Sequence, residues 1–533
     1  MNRVETKRRQ VGVFSNILAL VTLLLLGRWI GDNGVTYVIV AVEVCALFGS
    51  VFCGNVSDIL GKILRSRRNK GQYKGMIQMR RSAMIFHVAA GILGSVLLFL
   101  LSDAIAEGIF KVHYSSLIIK VLSPMMLLRS VSAVFLGYFQ GEGSEFPTMI
   151  SEILRRLFTL GFGILFSQIL GNYGEKVGTL LMQSNYTAMY GGVGFAIGVN
   201  LTEVFILLFL GLIYKGMCGA DSKSAQEAGD SLRVTFLCVK SLCMGRWIPC
   251  ATTMMGLLPL VLGVFFLDRS AEDETGILEY GIFTGKYLAI CCVAAALISI
   301  VILPVVSKVY AGFRREEQRY AKTVFQSGVH ICMVHGIFAA IFVAATGKQF
   351  GELVCPDNVE LVGKMFLGGS SVIGFMALAL YFGRILQAGG KKILVFGAAG
   401  IGNVIFMLFG GVLSGVGKAG ILSLVYGSII SMFLVCILLG MMAYKQMRMR
   451  MDWLNIVIVP LGAGSAAGLL GALLAKFISP HVGAFMTLLL VYAATSALYW
   501  GVLLFLRNFK EQELDMVAGG RLIGRIGQML HVY

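Results

Sequence analysis

Charge is what this chain has least of. Asp, Glu, Lys and Arg make up 14% of its 533 residues, against 57% hydrophobic residues, too little polar surface to cover a soluble particle of that length. Acids are the scarcer half, 28 against 45 basic residues. Of the 11 cysteines, Cys45, Cys53, Cys238, Cys243, Cys250, Cys291, Cys292, Cys332 and Cys436 lie in apolar stretches, where a thiol behaves as a small hydrophobe. Only Cys355 falls in a connection assigned to the outside, which excludes an external disulfide framework. His330 and His335 do not share a helical face, since two metal ligands on one face need a spacing of about four; no metal or cofactor is expected. No cluster of acids gathers at one depth, and Glu272-Asp273-Glu274 reads as a solvated loop, so a membrane-embedded transferase is the weakest reading and no enzymatic activity is expected.

What fills the chain instead is apolar sequence, in runs each near the ~20 residues needed to cross a hydrocarbon core as helix. They fall roughly at 11–30, 35–60, 82–102, 116–138, 147–170, 186–214, 234–267, 280–307, 323–346, 361–386, 392–414, 418–443, 453–478 and 482–506, about fourteen spans. The opening Met1-Asn2-Arg3-Val4-Glu5-Thr6-Lys7-Arg8-Arg9 resembles a signal-peptide n-region, but the run after it is long and lacks a small-x-small cleavage site, so it is expected to stay as the first helix. With the N-terminus inside, cytoplasmic connections hold about thirty Lys and Arg and external ones about six. Lys62, Arg65, Arg67, Arg68, Lys70, Lys74, Arg80 and Arg81 fall in one inner loop; Asp268, Glu272, Asp273 and Glu274 fall in an outer one. The even span count places both termini on the cytoplasmic side of the cell membrane. The net charge of +17 then reflects topogenesis and contact with anionic membrane lipids, and no nucleic-acid partner is called for.

The polar stretch from Lys215 to Arg233 reads as a linker. The expected architecture is an all-α polytopic membrane protein of two six-helix lobes plus two further helices: roughly 1–214 for the N-lobe, 215–233 for a cytoplasmic linker, 234–443 for the C-lobe, 444–506 for helices thirteen and fourteen, and 507–533 for a cytoplasmic amphipathic tail. Gly27-Arg28-Trp29-Ile30 recurs as Gly245-Arg246-Trp247-Ile248, but at a different depth in its helix, and is ascribed to chance. Gly191, Gly194 and Gly198 form a close-packing face of the sixth helix.

Basic residues inside these spans carry the functional reading: Arg28, Arg129, Arg155, Arg156, Lys240, Arg246, Lys286 and Lys364. A Lys or Arg at mid-membrane depth costs roughly 2.5–3.5 kcal/mol on insertion scales, so several persist only where water, acids or an anionic ligand offset the cost. Fewer acids lie at that depth, namely Glu43, Glu152 and Glu203. In the fifth helix Thr148, Ser151, Arg155, Thr159 and Gly163 recur every three to four residues, a stripe that looks into protein or water. Arg155 and the mid-span Arg129 are the leading substrate-binding candidates, with Arg246, Arg28 and Lys240 behind them; snorkelling to the headgroups is as good a reading of Arg28. Lys120, Lys286 and Lys364 read as interfacial anchors. Arg156 follows Glu152 by four residues, the favourable order for an ion pair. Glu43 and Glu203 are expected to pair with cations, with ion coupling as the alternative. Pro249 and Pro259 free backbone carbonyls after Arg246 and are gating candidates.

Several segments carry a family resemblance. Arg28-Trp29-Ile30-Gly31-Asp32-Asn33-Gly34-Val35-Thr36-Tyr37 resembles the end of the first helix in stage V sporulation protein B-like members of the multidrug/oligosaccharidyl-lipid/polysaccharide (MOP) exporter superfamily. Phe135-Leu136-Gly137-Tyr138-Phe139-Gln140-Gly141 with Pro147-Thr148-Met149-Ile150-Ser151 is similar to the fourth-to-fifth helix connection of that group and of its lipid II flippase relatives. Tyr280-Gly281-Ile282-Phe283-Thr284-Gly285-Lys286, Leu303-Pro304-Val305-Val306-Ser307 and Leu386-Gln387-Ala388-Gly389-Gly390-Lys391 resemble later segments in the same order. The chain departs from relatives at Leu288–Val293, where they often carry a proline.

The resemblance implies an alternating-access flippase of polyprenyl-diphosphate-linked saccharides for cell-wall or polysaccharide synthesis, monomeric, with H+ or Na+ as the candidate coupling ion. Guanidinium forks suit a diphosphate because they bond two oxygens at once. The alternatives are a multidrug cation antiporter of the same superfamily, which predicts acids dominating the cavity, and a non-transporting scaffold for wall assembly.

Overall fold

The computed structural model describes residues 3–54, 56–183, 185–217, 232–245, 266–267, 274–416, 420–447, 453–509 and 513. Every regular element among them is helical. The chain divides into two units, Met1–Gly281 and Ile282–Tyr533.

In the first unit, α1 (Arg3–Phe52) runs nearly into α2 (Val56–Asn69), and the apolar run Gln10–Asn69 is 60 residues long. At 1.5 Å per residue that is ~90 Å, about three hydrocarbon thicknesses, so it cannot be one span. The break falls at Gly31, whose φ of 70° and ψ of 173° lie where a side chain is strained. It separates the two spans that hydropathy placed on either side. Then follow α3 (Tyr73–Asp103), α4 (Ser115–Leu122), α5 (Met125–Gly141), α6 (Phe146–Leu181), α7 (Asn185–Met217), α8 (Leu232–Gly245) and α9 (Glu274–Ile282). The α4–α5 pair forms one apolar run, Ser115–Gly141, interrupted at Ser123-Pro124 because proline lacks the N–H to continue the ladder.

The second unit holds α10 (Ala289–Arg314), α11 (Gln318–Ala345), α12 (Gly347–Val354), α13 (Val359–Gly369), α14 (Val372–Ala388), α15 (Lys392–Val416), α16 (Leu422–Met447), α17 (Val459–Ile478) and α18 (Ala484–Phe505). The α13–α14 pair bends by 50°. Among the described residues ten helical runs are long and apolar enough to cross a membrane, the bent pair adds another, and Ile393–Phe409 is a shorter apolar helix. With the first run split at Gly31 and 234–267 partly outside the described residues, the positions match the expected spans and the count stays at about fourteen.

The division at Gly281/Ile282 does not coincide with the linker read at 215–233, of which 218–231 lie outside the described residues. The later division has a local cause. A Cβ on Gly281 would stand 2.2 Å from the Asp32 carbonyl oxygen, and the Thr36 hydroxyl donates to the Ile277 carbonyl at 2.6 Å, so α9 belongs to the first bundle. The tail also departs from expectation. Asn508, Phe509 and Glu513 are buried in the second unit, their polar groups bonded to His330, while the amphipathic stretch from Arg521 onward lies outside the described residues.

Without a hydrophobic drive between helices in lipid, packing depends on close backbone approach. The α6–α7 pair achieves it with glycine: a Cβ on Gly194 would lie 2.1 Å from the Phe166 carbonyl oxygen, one on Gly198 2.6 Å from the Gly163 Cα, and one on Gly174 2.6 Å from the Tyr186 carbonyl oxygen. Gly194→Val should therefore push the helices apart at a cost on the order of 1–3 kcal/mol. Gly211→Ala, with open space around it, should leave stability unchanged. Thermal unfolding in detergent compares the two, and equal melting of both variants with wild type would remove this packing argument.

Candidate functional site

Charged side chains from three helices of the first unit meet at one carboxylate. Glu203 on α7 has a side chain only 1% exposed. Its Oε1 accepts from Arg129 Nε on α5 at 2.8 Å and from Arg155 Nε on α6 at 3.0 Å, and its Oε2 accepts from Arg155 Nε at 3.2 Å. A carboxylate buried in an apolar bundle persists only with hydrogen-bonded countercharge, and here it takes two guanidinium groups. One positive charge is left over.

The surplus is presented, not hidden. Both arginines are held through Nε, so the terminal Nη groups of each make no hydrogen bond to protein among the described residues. These ends are the planar forks that bind carboxylate or phosphate oxygens two at a time. Arg129 is densely surrounded by protein, yet 43% of its side chain is accessible, as is 23% of Arg155. Both guanidinium groups thus keep accessible surface beside a carboxylate that has almost none.

The neighbours fix each member in place. Ser130 Oγ donates to the His87 carbonyl at 2.7 Å, and Gly91 admits the Leu127 backbone of α5, locking α5 to α3 beside Arg129. Asn200 Nδ2 donates to the Val121 carbonyl at 2.6 Å, pinning α7 to α4 one turn before Glu203. On α6, Ser151 is buried, its hydroxyl bonded to the Thr148 carbonyl, and Gly163 lies under the Phe195 ring. The small part of the predicted stripe is thus a helix-packing face, and Arg155 is the member that reaches the carboxylate.

Other expectations fare differently. Glu43 was expected to pair, yet no cation pairs with it among the described residues and its Oε2 is buried without a hydrogen-bond partner; Tyr280 is the titratable group in its neighbourhood. Arg156 is within electrostatic range of Glu152, Arg129, Arg155 and Glu203, but no ion pair joins it to Glu152, whose carboxylate instead lines a separate cavity. Arg28 and Lys240 are exposed, and neither is a partner of Glu203. Arg246, Pro249 and Pro259 lie outside the described residues. Lys364 is exposed and Lys120 pairs with Asp103 at 2.7 Å, whereas Lys286 is no interfacial anchor: it is 6% exposed, inside a π-helical turn, Phe283–Leu288, that turns it into the second unit.

Hydropathy gave no signal for several polar groups. His87 is fully buried beside Ser130. Arg384 donates to the Ser299 carbonyl at 2.9 Å, in a run too apolar to draw notice. His330 is clasped by Glu513 at 2.9 Å and Asn508 at 3.0 Å, from a tail that gave no sequence signal for the contact.

No family model matches the chain and no curated protein matches its sequence. Solved structures do. A multidrug resistance MATE family transporter of the MOP superfamily, in its inward-facing conformation, is 12% identical over 83% of this chain and 98% of its own, with a TM-score of 0.64. The eukaryotic MATE transporter AtDTX14 is 16% identical over 83% and 96%, TM-score 0.57. A MOP superfamily transporter from Pyrococcus furiosus, described as having a binding pocket of reversed polarity, is 13% identical over 83% and 95%, TM-score 0.59. At such identities the likeness is one of fold: this chain has the two-lobed, all-helical fold of the MATE transporters.

Removing Glu203 tests the cluster. Glu203→Gln leaves two guanidinium groups facing each other without countercharge and should destabilise the protein by on the order of 3 kcal/mol, read by detergent-denaturant unfolding. The double variant Glu203→Gln with Arg155→Gln should recover part of that loss, and strictly additive losses would show that the pair is not coupled.

Proposed function

We propose that the protein is a membrane transporter that carries a lipid-linked, diphosphate-bearing saccharide across the cell membrane, exposing the Arg129–Glu203–Arg155 site to one side and then the other. The observation that supports this reading is the pair of guanidinium groups anchored by Nε on a single buried carboxylate, with both terminal forks free and one positive charge in excess. Such a site attracts an anion and bonds its oxygens bidentately. The resemblance of the sequence to sporulation protein B-like and lipid II flippase-like exporters points to the same cargo. Glu203 tunes the site: it lowers the net charge enough for folding in lipid while leaving enough to bind. An inside-negative potential favours outward movement of negative charge by ~2.3 kcal/mol per 100 mV per charge, and it draws the emptied cationic site back.

A second reading has its own support. The fold neighbours include multidrug resistance transporters, and the bare Glu43 carboxylate is a group that would bind a proton or sodium ion, since an unpaired carboxylate at depth is otherwise costly. On that reading a cationic drug is exchanged for the ion.

Reconstituted vesicles separate the two. With a labelled prenyl-diphosphate saccharide, Arg155→Ala and Arg129→Ala should each lower translocation at least tenfold at equal protein levels, while Gly211→Ala should match wild type. Unchanged transport in both arginine variants would remove the site from the mechanism. Efflux of a cationic dye that follows a proton or sodium gradient and vanishes in Glu43→Gln, with no saccharide movement, would favour the antiporter instead.

A further inference from the structure

A polar cavity lies in the first unit, on the end that carries the basic stretch from Lys62 to Arg81. Its volume is about 280 Å³, and it is walled by Arg8 from the start of α1, by Asp58, Lys62 and Arg65 of α2, and by Glu145 and Glu152 at the start of α6, with Gln140 and Thr148 between them. The two helical walls have matching periodicity. Asp58, Lys62 and Arg65 are spaced i, i+4, i+7 on α2, and Glu145, Thr148, Met149 and Glu152 are spaced i, i+3, i+4, i+7 on α6, so each helix turns one continuous face to the cavity.

The floor is tightly built. A Cβ on Gly61 would lie 2.9 Å from the Gln140 side chain, one on Gly137 3.0 Å from Leu60 and one on Gly141 2.7 Å from Leu64. The α2–α5 seam therefore holds one wall in fixed register.

The lining carries three cations and three anions, and none of the six forms an ion pair or hydrogen bond with another. Asp58 and Lys62 stand in the i, i+4 order that can close an ion pair on a helix, yet among the described residues the nearby acid–base pair is Arg68 with Glu142, at 2.9 Å. Three cations and three anions, not paired with one another, give the lining both signs and leave it neutral overall. A purely anionic ligand meets three carboxylates; a purely cationic one meets three basic groups. A ligand bearing both signs satisfies both sets, and the start of the 36-residue α6, with Pro147 in its first turn, adds the partial positive charge of a helix N-terminus on the side of the anion.

We propose that this cavity docks a headgroup that carries a phosphate and a primary ammonium on the same molecule. Arg8, Lys62 and Arg65 hold the phosphate oxygens, and Asp58, Glu145 and Glu152 take the ammonium. The inference rests on the transport reading above and sharpens it: the cargo is a diphosphate saccharide with a free amine. The path onward is short. Glu152 is about one turn from Arg155 and Arg156 on α6, ~5 Å along the helix, so a headgroup leaving this cavity meets the free forks of the Arg155–Glu203–Arg129 site next. The same phosphate-plus-ammonium chemistry occurs in phosphatidylethanolamine, and the test distinguishes the two sources.

The experiment is equilibrium binding to purified, detergent-solubilised protein, with three probes: a prenyl-diphosphate saccharide with a free amine, the same molecule N-acetylated, and phosphatidylethanolamine. The free-amine saccharide should bind at least tenfold more tightly than its N-acetylated form, and that ratio should fall to near one in Glu145→Gln/Glu152→Gln. Lys62→Ala/Arg65→Ala should weaken both saccharides alike. Unchanged melting temperatures show that the variants fold. Selective retention of phosphatidylethanolamine, abolished by the same substitutions, would keep the site and assign it to a membrane lipid. Equal binding of the free-amine and acetylated saccharides, or an amine preference untouched by Glu145→Gln/Glu152→Gln, overturns the proposal while leaving the transport reading intact if Arg155→Ala still abolishes translocation. Binding of none of the probes overturns it as well, and loss of diphosphate binding with retained dye efflux sinks the transport reading itself.

Discussion

One buried carboxylate organises the first unit. Glu203 stands where an unpaired charge is least tolerable, and it is tolerated because two arginines from other helices supply hydrogen bonds to it. The dependence is mutual. Two guanidinium groups a few ångström apart repel by on the order of 4 kcal/mol at an effective dielectric of about 20, so neither could hold its position inside the bundle without the acid between them. Two bases that must both survive in lipid have few solutions, and sharing one acid between them is among the least costly.

That arrangement needs helices held to within fractions of an ångström, and glycine supplies the precision. Along α6 and α7, backbone meets backbone at Gly163, Gly194 and Gly198, which sets the height of Glu203 against Arg155. The Ser130–His87 and Asn200–Val121 bonds do the same for α5 and α7 against their other neighbours. Gly31 acts at a larger scale: its left-handed backbone divides one long apolar run into two spans, and the segment after it meets α9 through Thr36 and Gly281. Packing and electrostatics thus meet in the same few helices.

Much of this was legible in the sequence because bilayers impose simple rules. Apolar runs of span length and the glycine face on the sixth span follow from solvation and packing costs that act on each residue where it stands. What was not legible depends on three-dimensional partnership. Arg129 and Arg155 share an acid 74 and 48 positions away, a pairing no local spacing encodes. The local rule misled at Glu152, where the i, i+4 pairing with Arg156 gave way to a place on a cavity wall. Glu43 defied the expectation that charges at depth pair, and Lys286 defied its apparent nearness to the interface, because a π-helical turn rotates it inward in a way hydropathy does not register. The unit boundary moved to Gly281 for a similar reason: a polar linker is visible in sequence, but the docking of α9 onto the first bundle is not.

The fold leaves the sign of the cargo open, and the charge pattern addresses it. Among proteins of this architecture one neighbour is a multidrug transporter and another is described as having a binding pocket of reversed polarity, so the fold by itself does not choose. In the present chain Arg129, Arg155 and the nearby Arg156 stand around one acid, Glu203, that two of them already share. Glu43, an acid at depth with no ion-pair partner among the described residues, belongs to α1 and has Tyr280, not the arginine cluster, as its titratable neighbour. The shared acid of the arginine cluster and the unpaired Glu43 therefore sit on different helices of one unit, so the proposed anion site and a proton or sodium site would not compete for the same atoms.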